Sequence, residues 1–377
     1  MHSEEFDIAI IGAGIVGCAT AHHLVRTFPN RSLIVLERRE QPGLETSSAS
    51  SGVIHSGIHL PPTSRKARLA QRGRVLTLSA CTTFGVRMQH CGMHVVVSPG
   101  DVPHLTGEMR GFFELLRRAR TQGVPCTVVP PWNVRKHEPA VRCIFGIHIP
   151  DVTVIDVPTL VRAFVHHAAT RGAQFRYRTP VHAIERSGTR YHLTTGTNTI
   201  RANVVVNAAG LDAARLAKTA GAPEYRIDLY RGEYYEVLYP ELRDAVRGLV
   251  YPVYRPGSPG LGIHLTKTMD GRLLIGPNAQ RIPTPAALTE NRTPPEPFLA
   301  AVQPFLPTLR REHLRYDHAG IRTKYVNGNE ESDFVIALDH ADPPLVNCIG
   351  IESPGVTAAP AIAEHIAELL QTRIAPC

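Results

Sequence analysis

The most constraining feature of the chain is its opening, FDIAIIGAGIVGCATAHHLV, residues 6–25. Ile8 to Ile11 form an unbroken apolar run, the pattern of a strand buried on both faces of a parallel sheet. Gly12, Gly14 and Gly17 follow in GxGxxG spacing. Gly12 permits a tight turn, Gly14 lets a pyrophosphate approach the backbone, and Gly17 lets the following helix lie close to the strand. The first amides of that helix lack intrahelical partners and present a positive dipole end to a phosphate. A second apolar run, SLIVLE (32–37), ends in Glu37, a carboxylate placed to accept hydrogen bonds from an adenosine ribose. Strand, glycines, helix and terminal acid together predict a dinucleotide-binding βαβ unit. Glu37 favours a ribose without a 2′-phosphate and does not separate NAD from FAD.

At 377 residues, 43% apolar and 20% charged, the chain suits two globular units with a large core. The net charge is +8. No block of like charges suggests a nucleic-acid tail, and the excess fits an acidic ligand or an anionic surface. The densest basic stretch, LLRRAR (115–120), belongs to a helical pattern over 108–123. Its buried face is read as Met109, Phe112, Phe113 and Leu116, which leaves the arginines solvated and peripheral membrane contact a minor alternative. The seven cysteines show neither a CxxC nor a metal-ligand spacing, so no metal is expected and the thiols read as reduced and cytoplasmic. The glycine-broken opening is neither a signal peptide nor a membrane span.

After Glu37 a nicotinamide enzyme would continue with another helix and strand. Here a small, polar run, ETSSASSGVIHSGIHL, leads instead to a helix over 65–85. This arrangement resembles the D-amino-acid-oxidase-like family of FAD-dependent oxidoreductases. The segments SGVIHSGIH, RKARLAQRG, RGEYYEV, LVYPVYRPGSPGLGIHLT, IGPNA, AGIRTK, DFVI and GIESPGVTAAPAIAEHI are most similar to its L-2-hydroxyglutarate dehydrogenase branch. Ala49 and Ser50 depart from the branch, which has His-Asn there. Met93 replaces a lysine, and IESPGVT is closer to the broad family form. These departures bear on the substrate rather than the flavin.

The resemblance implies an α/β chain with a discontinuous, Rossmann-like FAD-binding domain of the glutathione-reductase type (1–90, 145–222, 315–377). An α+β substrate domain with an antiparallel sheet (91–144, 223–314) is interleaved with it. It implies that Ser47 and Ser48 approach the phosphates and that Ala208, Ala209 and Gly210 lie against the diphosphate. Ser353 and the helix start at Gly355, Val356 and Thr357 would face the flavin pyrimidine edge, where reduction builds negative charge. The strand-rich stretch 226–280, with Tyr230, Tyr234, Tyr235, Tyr251 and Tyr254, reads as a sheet covering the cofactor. NVRKHEPAV reads as a helical turn ending at Pro139, and a short helix is expected near 296–305.

The implied reaction is oxidation of a small 2-hydroxy acid to the 2-oxo acid. It needs a base for the hydroxyl proton and a cation for the carboxylate. His264, in GLGIHLT, is the candidate base, with a satisfied core histidine as the alternative. Arg322, in AGIRTK, is the candidate carboxylate clamp, with an internal ion pair as the alternative. His55 is expected to line the flavin or orient substrate, with a covalent flavin link through it as a minor alternative. His59 is placed further out, and Arg231, Tyr234 and Thr266 are weaker contact candidates. A quinone, a carrier protein or oxygen would reoxidise the flavin. The rival readings are an amine or amino-acid oxidase of the same fold (glycine, sarcosine or D-amino-acid type) and a flavoprotein subunit without turnover.

Overall fold

The computed structural model describes residues 3–99, 102–196, 198–253, 262–328 and 333–374, so the expectations placed on Tyr254 and Cys377 lie outside the described residues. The opening folds as its spacing predicts: strand Ser3–Ile11, helix Ile15–Thr27 and strand Leu33–Leu36. Gly12 adopts φ +98°, and a Cβ there would stand 2.5 Å from the Ala208 carbonyl oxygen. A Cβ on Gly17 would stand 1.9 Å from the Gly12 carbonyl oxygen, so only glycine lets helix and turn meet.

Among the described residues, eight strands join in one sheet. Its central path runs Ala183–Ser187, Arg190–Thr195, Asn198–Asn207, Ser3–Ile11, Leu33–Leu36 and Gln174–Arg176. Asn198–Asn207 pairs in parallel with Ser3–Ile11 along its length. Its early residues also pair antiparallel with Arg190–Thr195, and its late ones in parallel with Pro344–Ile349. Helices Ile15–Thr27, Arg65–Phe84, Val157–Ala169 and Gly355–Gln371 share a core with this sheet through Leu24, Cys81, Phe164 and Ile366.

A second, nine-stranded sheet runs Gln280–Ile282, Ile227–Val237, Leu273–Gly276, His264–Lys267, Leu249–Pro252, Met93–Val97, Phe145–Ile149 and Thr127–Val129. Leu314–Tyr325 pairs with Ile227–Val237 from the other side. All its pairings are antiparallel except Leu249–Pro252 with Met93–Val97. Side chains alternate across the sheet. Leu265, Val250 and Ile275 therefore join Phe298 and Val302 of helix Pro295–Val302 in a core, and His264 and Tyr251 fall on the opposite face.

Two helical expectations are corrected. The helix read from 108 begins earlier and spans Val102–Gln122. Its buried residues include Phe112, Leu115 and Ala119, whereas Phe113 is 61% exposed, because the apolar face is rotated from the one read off the sequence. The turn expected up to Pro139 is the helix Pro131–His137, started by a proline at its first turn. Among the described residues no helix is long and apolar enough to cross a membrane, and no group of His, Cys, Asp and Glu is arranged to hold a metal.

Candidate active site

A cavity of about 830 Å³ runs between the two sheets. At one end it is lined by Glu37, Gly12 and Gly14, and at the other by His55, His264 and Arg322. The Glu37 carboxylate caps the glycine turn: Oε2 accepts from the Ala13 amide at 2.8 Å and Oε1 from the Arg39 amide at 2.8 Å. Each oxygen keeps a lone pair for a ribose hydroxyl. Ser47 Oγ accepts from the Ile15 amide at 2.9 Å, which ties the small polar run to the first turn of the helix. A Cβ on Gly14 would reach to 3.3 Å from Ser47 Oγ, into the channel a diphosphate needs.

Ala208, Ala209 and Gly210 line the same channel, as do Ser353, Gly355, Val356 and Thr357 at the start of the last helix. Thr357 Oγ1 accepts from the His55 amide at 3.1 Å and so holds the histidine loop against that helix start. Turn amides and a helix N-terminus as donors, with a carboxylate at the far end as acceptor, fit a long dinucleotide. Ser48 does not belong to it. It is exposed, and its hydroxyl donates to the Glu45 carbonyl because the turn aims it outward.

The other end carries the titratable groups. His264 stands on the strand His264–Lys267, and its Nδ1 lies 2.8 Å from the Gly262 carbonyl oxygen. A carbonyl only accepts, so Nδ1 carries the hydrogen and Nε2 keeps a lone pair. Burial pushes His264 down to about 3; the Gly262 bond opposes this, and His55 and Arg322 add to it. Burial likewise takes His55 to about 4. The imidazoles are therefore neutral at pH 7.

Arg322 comes from the strand Leu314–Tyr325, opposite Tyr230. It donates from Nη2 to the Asn278 carbonyl, and Gly232 leaves the space its guanidinium occupies. Among the described residues no carboxylate pairs with it, so the internal ion pair weighed for it is not formed there. Tyr234 lines the cavity beside it.

Several expectations change. His59 is not remote. It lines the cavity and stacks on Tyr251 at 5.7 Å, and Tyr251 stacks in turn on His264 at 3.7 Å. Arg231 is 1% exposed and spends its donors on the carbonyls of Ala287, Glu290 and Asn291 and on Gln280 Oε1. It pins the 280–291 segment instead of touching the cavity. Thr266 is fully buried beside the cavity, outside its lining. Sequence reasoning missed Lys66, whose ammonium pairs with Glu352 at 2.7 Å in the cavity wall. It also missed Arg118, read as solvated and in fact part of the lining. The place of Lys66 in RKARLAQRG, a segment that carries the family resemblance, was the only signal for the first, and none existed for the second.

The profile for the DAO family, described as FAD dependent oxidoreductase, matches residues 7–369. The chain is similar to L-2-hydroxyglutarate dehydrogenase of Escherichia coli (strain K12), 27% identical over 98% of this chain and 94% of that one. It is also similar to the mitochondrial L-2-hydroxyglutarate dehydrogenase of Arabidopsis thaliana, 30% identical over 97% of this chain and 83% of that one. Among solved structures it superposes on dithionite-reduced L-alpha-glycerophosphate oxidase of Mycoplasma pneumoniae with FAD bound. That match has a TM-score of 0.86 and 27% identity, over 98% of this chain and 95% of the other.

Proposed function

This chain belongs to the family of FAD-dependent oxidoreductases, and on that premise we propose that it oxidises a small 2-hydroxy acid of the L-2-hydroxyglutarate type to the 2-oxo acid. One observation carries the reading. Among the described residues, an imidazole whose Nε2 has no hydrogen-bond partner and a guanidinium without a carboxylate partner line the same end of the cavity. A hydroxy acid requires that pair of groups.

Gly12, Gly14, Gly17, Glu37, Ser47, Ala209, Gly210 and the helix start Ser353–Thr357 would hold FAD, which when bound would supply the two-electron acceptor for the hydrogen on the carbinol carbon. Arg322 takes the substrate carboxylate in two parallel hydrogen bonds. His264 Nε2 takes the hydroxyl proton. The Gly262 carbonyl fixes the tautomer, and Tyr251 stacks on the ring to fix its plane. A bound carboxylate opposes the effect of Arg322 on His264 and makes the imidazole a stronger base once substrate is in place. His55 orients the substrate from the loop side.

The named relatives, hydroxyglutarate dehydrogenases along nearly the whole chain, support this substrate class. We divide the chain into the FAD-binding segments 1–90, 145–222 and 315–377 and the substrate segments 91–144 and 223–314. The boundary strands Phe145–Ile149 and Leu314–Tyr325 are hydrogen-bonded into the second sheet. A quinone, a carrier protein or oxygen accepts the electrons. The free thiols of Cys18, Cys81, Cys91, Cys126, Cys143 and Cys348 support a cytoplasmic setting.

The test is an anaerobic panel read by loss of flavin absorbance, with L-2-hydroxyglutarate, L-lactate, glycine, sarcosine, D-alanine and L-α-glycerophosphate. Fastest bleaching by a 2-hydroxy acid supports the reading. Fastest bleaching by an amino acid moves the enzyme to the amine-oxidising rival.

A further inference from the structure

The cavity lining holds a second guanidinium, that of Arg118, and its position suggests what the far end of the substrate carries. Three rings, His264, Tyr251 and His59, form one stack along the lining. Arg322 stands at the His264 end of this stack, bonded to the carbonyl of Asn278, two residues past Gly276, the cross-strand partner of His264; Arg118 stands at the other end, bonded to the carbonyl of His59. The two guanidiniums thus sit at different ends of the same wall.

Arg118 is built into that position. It comes from the helix Val102–Gln122, and its side chain is only 18% exposed. Its Nε donates to Glu114 Oε1 at 2.8 Å, and its Nη1 donates to the His59 carbonyl at 2.7 Å. Its Nη2 has no partner among the described residues. Arg117, one residue earlier, is 61% exposed and takes both oxygens of Glu114 at 2.7 and 2.8 Å. One carboxylate therefore serves two guanidiniums, and the cluster keeps a net positive charge. Arg118 presents that charge from a fork already fixed by two bonds, so little side-chain freedom remains to be lost when an anion binds.

We propose that Arg118 anchors a second, distal carboxylate, so that the site selects dicarboxylic over monocarboxylic 2-hydroxy acids. This rests on the hydroxy-acid reading above and adds to it a specificity-determining residue. A monocarboxylate would leave the Arg118 charge desolvated by the substrate's tail and unanswered by an anion, which turns an attractive contact into a selective one.

Two measurements on the FAD-loaded protein test the proposal. The first needs no turnover: glutarate and pentanoate, of equal chain length, are titrated against the flavin spectrum. Glutarate should bind wild type about 10- to 100-fold more tightly, the scale of one charge-assisted contact. Arg118→Met should remove most of that preference, and Arg118→Lys should restore part of it. The second compares kcat/KM for 2-hydroxyglutarate and 2-hydroxypentanoate under anaerobic reduction. The ratio should fall in Arg118→Met by about the same factor. Equal affinity of wild type for glutarate and pentanoate overturns the proposal, even if Arg118→Met fails to fold. A ratio unchanged in Arg118→Met, with both substrates slowed in step, also overturns it. If neither hydroxy acid bleaches the wild-type flavin, the hydroxy-acid reading falls, and the titration alone still decides on Arg118.

Discussion

Tyr251 and His264 lie ring on ring, centroids 3.7 Å apart and planes 19° from parallel. The two residues come from neighbouring antiparallel strands, Leu249–Pro252 and His264–Lys267. Sheet register and the Gly262 carbonyl together leave the imidazole one orientation and one tautomer. A base held this way loses little freedom on meeting a substrate, which is the structural requirement for efficient proton transfer.

His264→Ala should therefore lower the rate of anaerobic flavin reduction at saturating substrate by about 10²–10⁴-fold while flavin content stays near wild type. A rate within threefold of wild type would move the base elsewhere in the cluster, with His55 next.

The pH profile follows from the direction of the shift. His264 is lowered to about 3 in the free protein, so the acid limb of kcat/KM, which reports the free enzyme, should fall well below the ordinary histidine value of 6.5. The substrate carboxylate stabilises the protonated ring, so the acid limb of kcat should lie at higher pH than that of kcat/KM. Coincident limbs near 6.5 would contradict this assignment.

Arg322→Ala should act chiefly on KM, because the carboxylate is held alike in ground and transition states. Loss of one partner of a buried, charge-assisted contact costs roughly 2–5 kcal/mol. Arg322→Lys should recover only part of it, since a lysine lacks the planar fork. Steady-state kinetics showing a pure kcat effect would argue against the clamp.

Gly14→Val should yield folded, colourless protein. The added Cβ meets Ser47 Oγ at 3.3 Å and no backbone atom within 4 Å, so the side chain enters the channel between the turn and Ser47. Full flavin content by absorbance after gel filtration would overturn the placement of the diphosphate.

Acid should destabilise the fold. His22, His55, His59, His94 and His264 are all lowered from 6.5, to about 3 or 4, chiefly by burial. As pH falls through 6.5 the unfolded chain takes up protons at these positions and the folded chain does not. Stability is therefore lost progressively between about 6.5 and 4. Glu138, raised by burial to about 7, opposes this in part by protonating first in the folded state. The thermal midpoint should drop from pH 7.5 to pH 5, and His22→Leu should shallow that slope, since its imidazole sits against Phe84 and Phe164 far from the cavity. A midpoint that rises towards pH 5 would contradict the assignment.

The cofactor half of the site was legible because its chemistry is local. Gly12, Gly14, Gly17 and Glu37 lie within one βαβ unit, so spacing alone brings the acid to the turn. The helix start at Gly355 was legible through its glycine-rich turn. The substrate half depends on tertiary placement. Arg118 reads as one arginine among several on a helix, and only packing of that helix against the His59 loop turns it inward. Phe113 and Leu115 exchange burial because neighbouring positions on an apolar stripe satisfy the same periodicity. Ser47 and Ser48 are adjacent and chemically alike, and turn geometry alone sends one to the helix amide and the other to solvent. Arg231 and Arg322 stand on paired strands, and the sequence does not say which faces the cavity.

Anaerobic single turnover of the FAD-loaded protein with L-2-hydroxyglutarate, protiated and deuterated at C2, followed at the flavin absorbance with product analysis, decides whether this site oxidises a 2-hydroxy acid. One equivalent of 2-oxoglutarate per flavin reduced and a slower reduction with the deuterated acid are expected. An unbleached flavin, or faster bleaching by glycine or L-α-glycerophosphate than by any 2-hydroxy acid, would contradict the hydroxy-acid reading.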